Sequence, residues 1–223
     1  MRILAIDTSG EFCSVALALD GAVEAREANA GQQHSELVLR MIDELLSVHG
    51  MRAADLDGIA FGEGPGSFTG VRIACGITQG LAYAADLPVV GIGTLLAMAE
   101  ATGAARVVSC LDARMHEIYH AAFEKSNGDW RSVHAPGLYA PVEAPPLLAG
   151  DWFGCGSGFA SYREELARRY HGQLGRIDPD VRPHAREIAR LAIRQFERGG
   201  GVDAAAAVPI YIRDKVALKM GER

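Results

Sequence analysis

The strongest constraint on the fold is a sequence pattern that occurs twice along the chain. Residues 3–6 form an apolar run that ends at Asp7, and an Asp-Gly turn then joins two further strand-like segments. Around Gly103 the pattern begins again, because residues 106–111 are apolar, end at Asp112 and precede an Asn-Gly hairpin signal. The chain has no tandem repeat of short period, so this coarse duplication predicts two similar α/β lobes.

Each half also shows how its strands and helices alternate. In the first half the predicted strands are 3–6, 14–19, 22–28, 59–61 and 88–92, with helices at 35–49, 71–84 and 95–101. In the second half the predicted strands are 106–111, 115–124, 130–134 and 151–153, with helices at 162–170 and 186–198. This order predicts an α/β fold with mixed sheets flanked by helices, and lobes at residues 1–104 and 105–223. Roughly the final 15 residues are a candidate for packing back on the first lobe.

Composition narrows the class of protein. Of the 223 residues, 49% are apolar and 22% are charged, which is typical of a folded globular protein. The formal net charge is −6 and basic residues do not cluster, so we expect that the chain does not bind nucleic acid strongly by itself. No apolar run approaches the ~20 residues of a membrane span. Four scattered cysteines in apolar runs predict reduced, buried thiols in a cytoplasmic protein, with a secreted disulfide-bonded protein as the alternative: Cys13, Cys75, Cys110 and Cys155.

One short motif points to a different class of protein. The run HEIYH, from His116 to His120, matches the H-E-x-x-H signature of zinc peptidases. That signature binds zinc on a helix, where residues four apart have Cβ atoms about 5–6 Å from each other. Here the run lies between Asp112 and an Asn-Gly turn signal, which predicts a strand, and four residues of strand span about 13 Å. We therefore interpret both histidines as ordinary strand residues and predict no metal site.

The glycine-rich stretch GEGPGSFTGVR, residues 62–72, connects a predicted strand to a predicted helix. Its glycines permit close backbone approach, and Ser67 and Thr69 can cap the helix that follows. The stretch is either an anion site at a helix N-terminus or a tight connection packed against a neighbouring segment. The residues alone favour neither interpretation.

The helices on either side of this stretch are more apolar than one buried face requires. Along 35–49, apolar residues cover roughly 200° of the helix circumference, whereas an ordinary surface helix has an apolar stripe about 100° wide. In 71–84 nearly every residue is apolar, and Gly76 and Gly80 leave a groove that another helix can approach closely. Such a helix is covered on two sides. Its own sheet can cover one side, and the other is covered either by the chain's second lobe or by a partner protein.

Four stretches together resemble one protein family. They are ILAIDTS near the start, GPGSFTGVRIACGITQGLA in the middle, LPVVGIGTL after it, and LDARMHEIY at the opening of the second half. In sequence and in order they resemble the TsaB (YeaZ) family of accessory proteins in tRNA threonylcarbamoyladenosine biosynthesis. The resemblance implies the actin/sugar-kinase/Hsp70 (ASKHA) fold, with two ribonuclease-H-like lobes, in agreement with the duplicated pattern.

The resemblance implies an accessory subunit that is not an enzyme on its own. Its expected partners are a TsaD-type threonylcarbamoyltransferase and, in a larger complex, a TsaE-type ATPase. Alone, the chain is either a homodimer or a monomer, and it is expected to contact tRNA only indirectly and no membrane. The two N-lobe helices would contact the transferase, through Leu37, Val38, Met41, Leu45, Arg72, Cys75, Gly76, Gln79 and Gly80.

The resemblance also bears on cofactors. TsaD-like relatives bind a metal through a His-x-x-x-His pair, and the matching residues 91–101 contain no histidine here. Asp7 and Asp112 stand where ASKHA kinases handle phosphate and Mg²⁺, but neither is followed by the Gly-Thr of a phosphate loop. We therefore expect no cofactor to bind independently and ATP or ADP only within the complex; the weak candidates are Asp7, Gly66, Ser67 and Asp112. Two alternatives remain open, an ATP-using ASKHA kinase or ATPase and a zinc metallopeptidase.

Overall fold

The computed structural model describes residues 1–31 and 33–213, which form two five-stranded sheets flanked by helices. The strands of the first sheet are β1 Arg2–Asp7, β2 Phe12–Leu19, β3 Ala22–Asn29, β4 Gly58–Gly64 and β5 Val89–Gly93. The helices of this half are α1 His34–Val48, α2 Phe68–Ala85 and α3 Thr94–Thr102. The strand order is β3-β2-β1-β4-β5, and β1 pairs antiparallel with β2 and parallel with β4, so the sheet is mixed.

The second sheet repeats this topology. Its strands are β6 Arg106–Asp112, β7 Ile118–Ser126, β8 Asp129–Tyr139, β9 Trp152–Cys155 and β10 Leu174–Asp178. The helices of this half are α4 Gly158–Ser161, α5 Arg163–Arg169 and α6 Ala185–Glu197. The order β8-β7-β6-β9-β10 again places the opening strand at the centre, between an antiparallel and a parallel neighbour. The predicted α/β class, with two similar mixed-sheet lobes, is confirmed.

Two elements, α4 and β10, were not predicted from the sequence. The predicted helix 162–170 is confirmed as α5 within one residue at each end, and Tyr162, with backbone outside the helical region at φ −128° and ψ 44°, separates it from the short α4. β10 was not expected, because its sequence LGRID lacks hydrophobic alternation and its central residues are exposed. It is the edge strand beside β9, so its place in the sheet depends on that neighbour and not on its own pattern.

Alternation along β1 places its side chains in two different cores. Leu4 and Ile6 pack with residues of α1 and α2, whereas Ile3 and Ala5 pack with residues of α6. All four side chains are fully buried, which explains why this strand is apolar throughout instead of alternating with polar residues. A polar residue at any of these positions would be buried without a hydrogen-bond partner.

The two lobes exchange helices across their boundary. α3, from the first half, packs mainly on the second sheet, against β6 and β7. α6, from the second half, packs on the first sheet, against β1, β2 and β4. The predicted boundary, which assigned residues 105–223 to the second lobe, therefore does not hold for α6, Ala185–Glu197. An amphipathic pattern predicts that α6 has a buried face but not which sheet buries it.

Residues 202–213, which we call the strap, run from the first lobe to the second. The strap begins with a β-bridge to β5, and the N–H of Ile210 then donates a hydrogen bond to a β4 carbonyl at 2.7 Å. Arg213 at its end forms an ion pair with Glu117 in the second lobe. Of the final residues predicted to pack on the first lobe, 214–223 lie outside the described residues.

The four cysteines are free and buried, as their apolar sequence context predicts. Burial raises the pKa of the Cys13 and Cys155 thiols to about 12, which makes both thiols unreactive near neutral pH. Among the helices of the described ranges, none is long and apolar enough to cross a membrane.

Candidate protein interface

The glycine-rich connection between β4 and α2 packs tightly on the loop that follows β1. The N–H of Ser67 donates to the Ser9 carbonyl at 2.7 Å, and the Thr8 hydroxyl donates to the Gly70 carbonyl at 2.6 Å. A Cβ atom at Gly66 would lie only 2.5 Å from the Ser9 carbonyl oxygen, so no larger residue fits there. These contacts favour the second interpretation of the stretch, a tight connection packed against a neighbouring segment.

The same connection fixes where α2 begins. The Ser67 hydroxyl accepts a hydrogen bond from the Gly70 N–H at 3.3 Å, so Ser67 caps the helix as predicted. Thr69 lies inside the helix with its side chain exposed, and the prediction that it caps the helix is wrong. α2 ends at Asp86, which adopts the left-handed conformation (φ 52°) two residues before Pro88.

Asp7, the first weak cofactor candidate, is buried at the end of β1. One carboxylate oxygen accepts hydrogen bonds from the N–H and hydroxyl groups of Ser9, and the other has no partner among residues 1–31 and 33–213. Burial raises the pKa of this carboxyl group to about 6, although the Ser9 hydrogen bonds lower it. The unpartnered oxygen lies against Gly62, where a Cβ would collide with it, so the chain's own backbone fills the space in front of the carboxylate.

Asp112, the equivalent residue at the end of β6, holds second-lobe segments together. Its carboxylate accepts hydrogen bonds from the Arg114 N–H at 2.8 Å, the Ser161 hydroxyl at 3.0 Å and the Tyr162 hydroxyl at 3.2 Å. The nucleotide that the ASKHA fold implies does not fit these residues, because the groups that would face its phosphates bind the chain itself. Gly66 and Ser67 contact the loop after β1 and are not brought to Asp112 by any of these contacts.

The HEIYH run lies on a turn and a strand, not on a helix. His116 ends a run of three non-glycine residues with left-handed backbone, at φ 62°, 55° and 59°, whereas His120 is buried within β7. The His116 ring lies near Glu165, while Nε2 of His120 is 2.9 Å from the Tyr170 hydroxyl. The strand prediction is right for His120 and wrong for His116. Neither position has the helical geometry through which this signature binds zinc.

α1 turns its predicted partner-binding side chains towards the chain's own sheet. Val38 and Leu45 are 0% exposed and Met41 is nearly as buried, all in the core that contains β1 and β2 residues. Leu37 is half-buried against the same core. The assignment of Val38, Met41 and Leu45 as partner contacts is therefore wrong, because side chains without accessible surface cannot touch a partner. The exposed side of α1 is mainly polar.

α2 divides the remaining predicted contacts between two faces. Cys75 and Gln79 donate hydrogen bonds to the Ala207 carbonyl of the strap, at 3.2 and 2.8 Å, so the chain itself covers this face. Cys75 is buried, and its assignment as a partner contact is wrong. Gly76 and Gly80 lie on the exposed face, where a Cβ atom would meet nothing within 4 Å in the described part of the chain. They leave an open, flat strip along the outer side of the helix.

Large side chains stand at both ends of this strip. Phe68 is half-exposed at the N-terminal end beside the exposed Arg72, and Tyr83 is 85% exposed at the C-terminal end. We call Phe68, Arg72, Gly76, Gly80 and Tyr83 the docking face. Phe68 and Tyr83 were not predicted as contacts, although their spacing of three or four residues places them in line with the three that were. An exposed strip with aromatic ends is typical of a protein interface.

Comparison with known proteins gives the family. A family model described as TsaD, tRNA N6-adenosine threonylcarbamoyltransferase, matches residues 27–217. The tRNA threonylcarbamoyladenosine biosynthesis proteins TsaB of Escherichia coli and Haemophilus influenzae are 38% and 37% identical to this chain. Both alignments cover 98% of this chain, and they cover 97% and 96% of the two relatives. The chain belongs to the TsaB family.

Solved structures of TsaB-like proteins extend this result to the fold. YeaZ from Pseudomonas aeruginosa superposes with a TM-score of 0.87 at 37% identity, over 94% of this chain and 99% of that one. A protein described as similar to peptidase YEAZ from Pseudomonas aeruginosa gives a TM-score of 0.88 at 37% identity, over 95% and 99% of the two chains. Agreement over nearly the whole of both chains confirms the two-lobe ASKHA architecture. The peptidase description belongs to that relative, whereas the HEIYH run of this chain lacks the helical zinc geometry.

Proposed function

We propose that this TsaB-family chain is the non-catalytic partner of a TsaD-type threonylcarbamoyltransferase in tRNA N6-threonylcarbamoyladenosine modification. The observation that carries the proposal is the docking face on α2, where two glycines and an 85% exposed Tyr83 stand open to solvent. Without side chains at Gly76 and Gly80, a partner helix can approach to the short end of the usual ~8–10 Å range of interaxial distances. The transferase family model matches residues 27–217 of this chain. In the proposal, the transferase therefore has the same fold as this chain, and its helix equivalent to α2 packs on the docking face.

In this proposal the chemistry lies in the transferase. The burial of Asp7 and the hydrogen bonds of Asp112 within the chain support a role in which these two residues do not bind a nucleotide. We therefore propose that it binds no cofactor alone and that ATP or ADP enters only with the complex, which a TsaE-type ATPase joins. The chain has a net charge of −6, which disfavours binding of the tRNA phosphates, so in this proposal other subunits bind the tRNA. When the transferase is absent, the same docking face would pair two copies of this chain.

The proposal is tested by binding between the full chain and the TsaD-type transferase of the same organism, measured by isothermal titration calorimetry. Gly80→Leu should weaken binding by about 100-fold or more, because the leucine fills the strip that the partner helix needs. Ala167→Leu is the control: it adds three carbon atoms, against the four that Gly80→Leu adds, to an exposed helical position of α5, and it should bind like the wild type.

Circular dichroism should show that both variants remain folded, since neither position is enclosed. Equal affinity of Gly80→Leu and the wild type would contradict the assignment of the docking face. No binding by the wild type, together with ATP turnover by the chain alone, would contradict the accessory role itself.

A further inference from the structure

A second exposed surface adjoins the docking face and continues from α2 onto the strap. The Arg72 guanidinium lies 3.3 Å from the Phe68 ring centroid and 4.8 Å from the Tyr211 ring centroid. The two rings are 6.3 Å apart, so Arg72 joins a helix residue to a strap residue. Tyr211 and its neighbour Ile210 are both about half-exposed, and they carry the apolar surface beyond the end of α2.

The strap then reaches an exposed turn in the second lobe. This left-handed turn consists of Arg114, Met115 and His116, three successive non-glycine residues with positive φ. Arg213 of the strap contacts it through the Met115 sulfur and the Arg114 carbonyl, each at 3.5 Å. Met115 is 54% exposed, and the Arg114 side chain is more exposed still. Exposed side chains thus lie on the docking face, on the strap at Ile210 and Tyr211 and on this turn, and the strap contacts both α2 and the turn.

The turn is held in its conformation by contacts on both sides. The Arg114 N–H donates to the Asp112 carboxylate at 2.8 Å, and the N–H groups of Ala113 and Glu117 close the turn at 2.9 and 3.1 Å. Left-handed backbone is unfavourable for residues other than glycine, and here it occurs three times in succession. A strained conformation that its surroundings fix, while its side chains point to solvent, is a feature of binding sites.

We propose that Phe68, Arg72, Ile210, Tyr211, Arg114 and Met115 form one bridging surface, which binds a segment of the transferase that carries carboxylates beside apolar side chains. The inference rests on the proposed function and extends it, because the partner would then contact both lobes and not only α2.

Charge and side-chain type support this partner. Among the described residues Arg72 bonds only to the Phe68 carbonyl and the two aromatic rings, so its charge is available to a carboxylate. Arg114 is loosely paired, 3.6 Å from Asp112. Tyrosine and arginine side by side are the residue types that contribute most to protein interfaces. RNA fits less well, because base stacking needs free ring faces and Arg72 already covers one face of each ring.

The test uses the full chain, the TsaD-type transferase and the tRNA of the same organism. A photo-cross-linking amino acid at Met115 should cross-link to the transferase, whereas the same group at Val142, which is equally exposed in the second lobe, should not. Arg72→Glu and Tyr211→Ala should each weaken binding by about 10-fold, and the effect of Arg72→Glu should shrink at high salt because exposed charges are screened. Arg168→Glu, at an exposed arginine of α5, is the matched control and should bind like the wild type.

The outcomes separate this inference from the proposed function. If the wild type does not bind the transferase at all, the proposed function fails. If Gly80→Leu abolishes binding while Tyr211→Ala binds like the wild type, and Met115 gives no cross-link, only the bridging surface is overturned. A cross-link from Met115 to tRNA and not to the transferase would also overturn it, in favour of an RNA-binding surface.

Discussion

Replacing Gly76 and Gly80 with alanine should stabilise the isolated chain. Glycine inside a helix is about 0.8–1.0 kcal/mol less favourable than alanine, so the double variant should gain about 1.6–2 kcal/mol in free energy of unfolding. No steric penalty opposes this gain, because a Cβ atom at either position meets nothing within 4 Å among residues 1–31 and 33–213. In a chain of this length 1 kcal/mol shifts the unfolding midpoint by about 2–4 °C, so the midpoint should rise by about 3–8 °C.

The same two methyl groups should weaken docking, because they stand where the partner helix approaches. Extra methyl groups in a close-packed contact typically cost about 1–3 kcal/mol, so the affinity for the transferase should fall by about 5- to 150-fold. Thermal unfolding by calorimetry and binding by titration calorimetry on the same preparations measure both effects. A variant that gains stability and keeps its affinity would place the docking face elsewhere. A double variant that is less stable than the wild type would contradict the open space around Gly76 and Gly80.

Three further predictions concern individual contacts. Ser67→Ala removes the cap of α2 and should lower the free energy of unfolding by about 1 kcal/mol, whereas Thr69→Ala removes no cap and should change it little; urea denaturation compares the two. His120→Ala removes a buried, hydrogen-bonded ring and should cost more than about 2 kcal/mol, while the exposed His116→Ala should cost less than about 0.5 kcal/mol; equal losses would indicate a shared site and favour the zinc interpretation. The folded-state pKa of Asp7 is raised to about 6, so the folded chain binds more protons than the unfolded chain from about pH 4 to 6, and the contribution of Asp7 to stability falls as pH rises through this window. The stability of Asp7→Asn relative to the wild type should therefore increase between pH 5 and pH 7, and a constant difference would contradict the buried, proton-binding carboxyl group.

Local signals in the sequence predict most of the fold. The bounds of α1 differ from the prediction by one residue at each end, because its apolar spacing and the left-handed Gly50 that follows it are properties of the segment itself. β10 and the placement of α6 could not be predicted in this way. Both depend on which distant segment lies alongside, and hydrophobic periodicity within one segment does not encode that choice.

The candidate site shows the same limit at the level of single residues. A helical projection gives the width of an apolar arc, but it does not tell which part of the arc meets the chain's own core. Much of the wide apolar arc of α1 packs against the chain's own core, so Val38 and Leu45 are buried. On α2 the covering segment is the strap, whose Ala207 is 132 positions along the chain from Cys75. Only Arg72, Gly76 and Gly80 of the predicted contacts on α2 remain open, and no pattern local to α2 distinguishes them from Cys75.

Two exposed features of this chain disagree with local conformational preference. Glycines stand twice in the exposed interior of α2, and three non-glycine residues in succession adopt left-handed backbone in an exposed turn. A sequence that specifies its fold well keeps such conflicts for functional positions. The strap connects the two features, since Tyr211 contacts the Arg72 end of α2 and Arg213 contacts the turn. Because the strap contacts both positions, a single partner that covers the strap and its two ends would account for both conflicts, whereas a partner confined to α2 would leave the strained turn without a role.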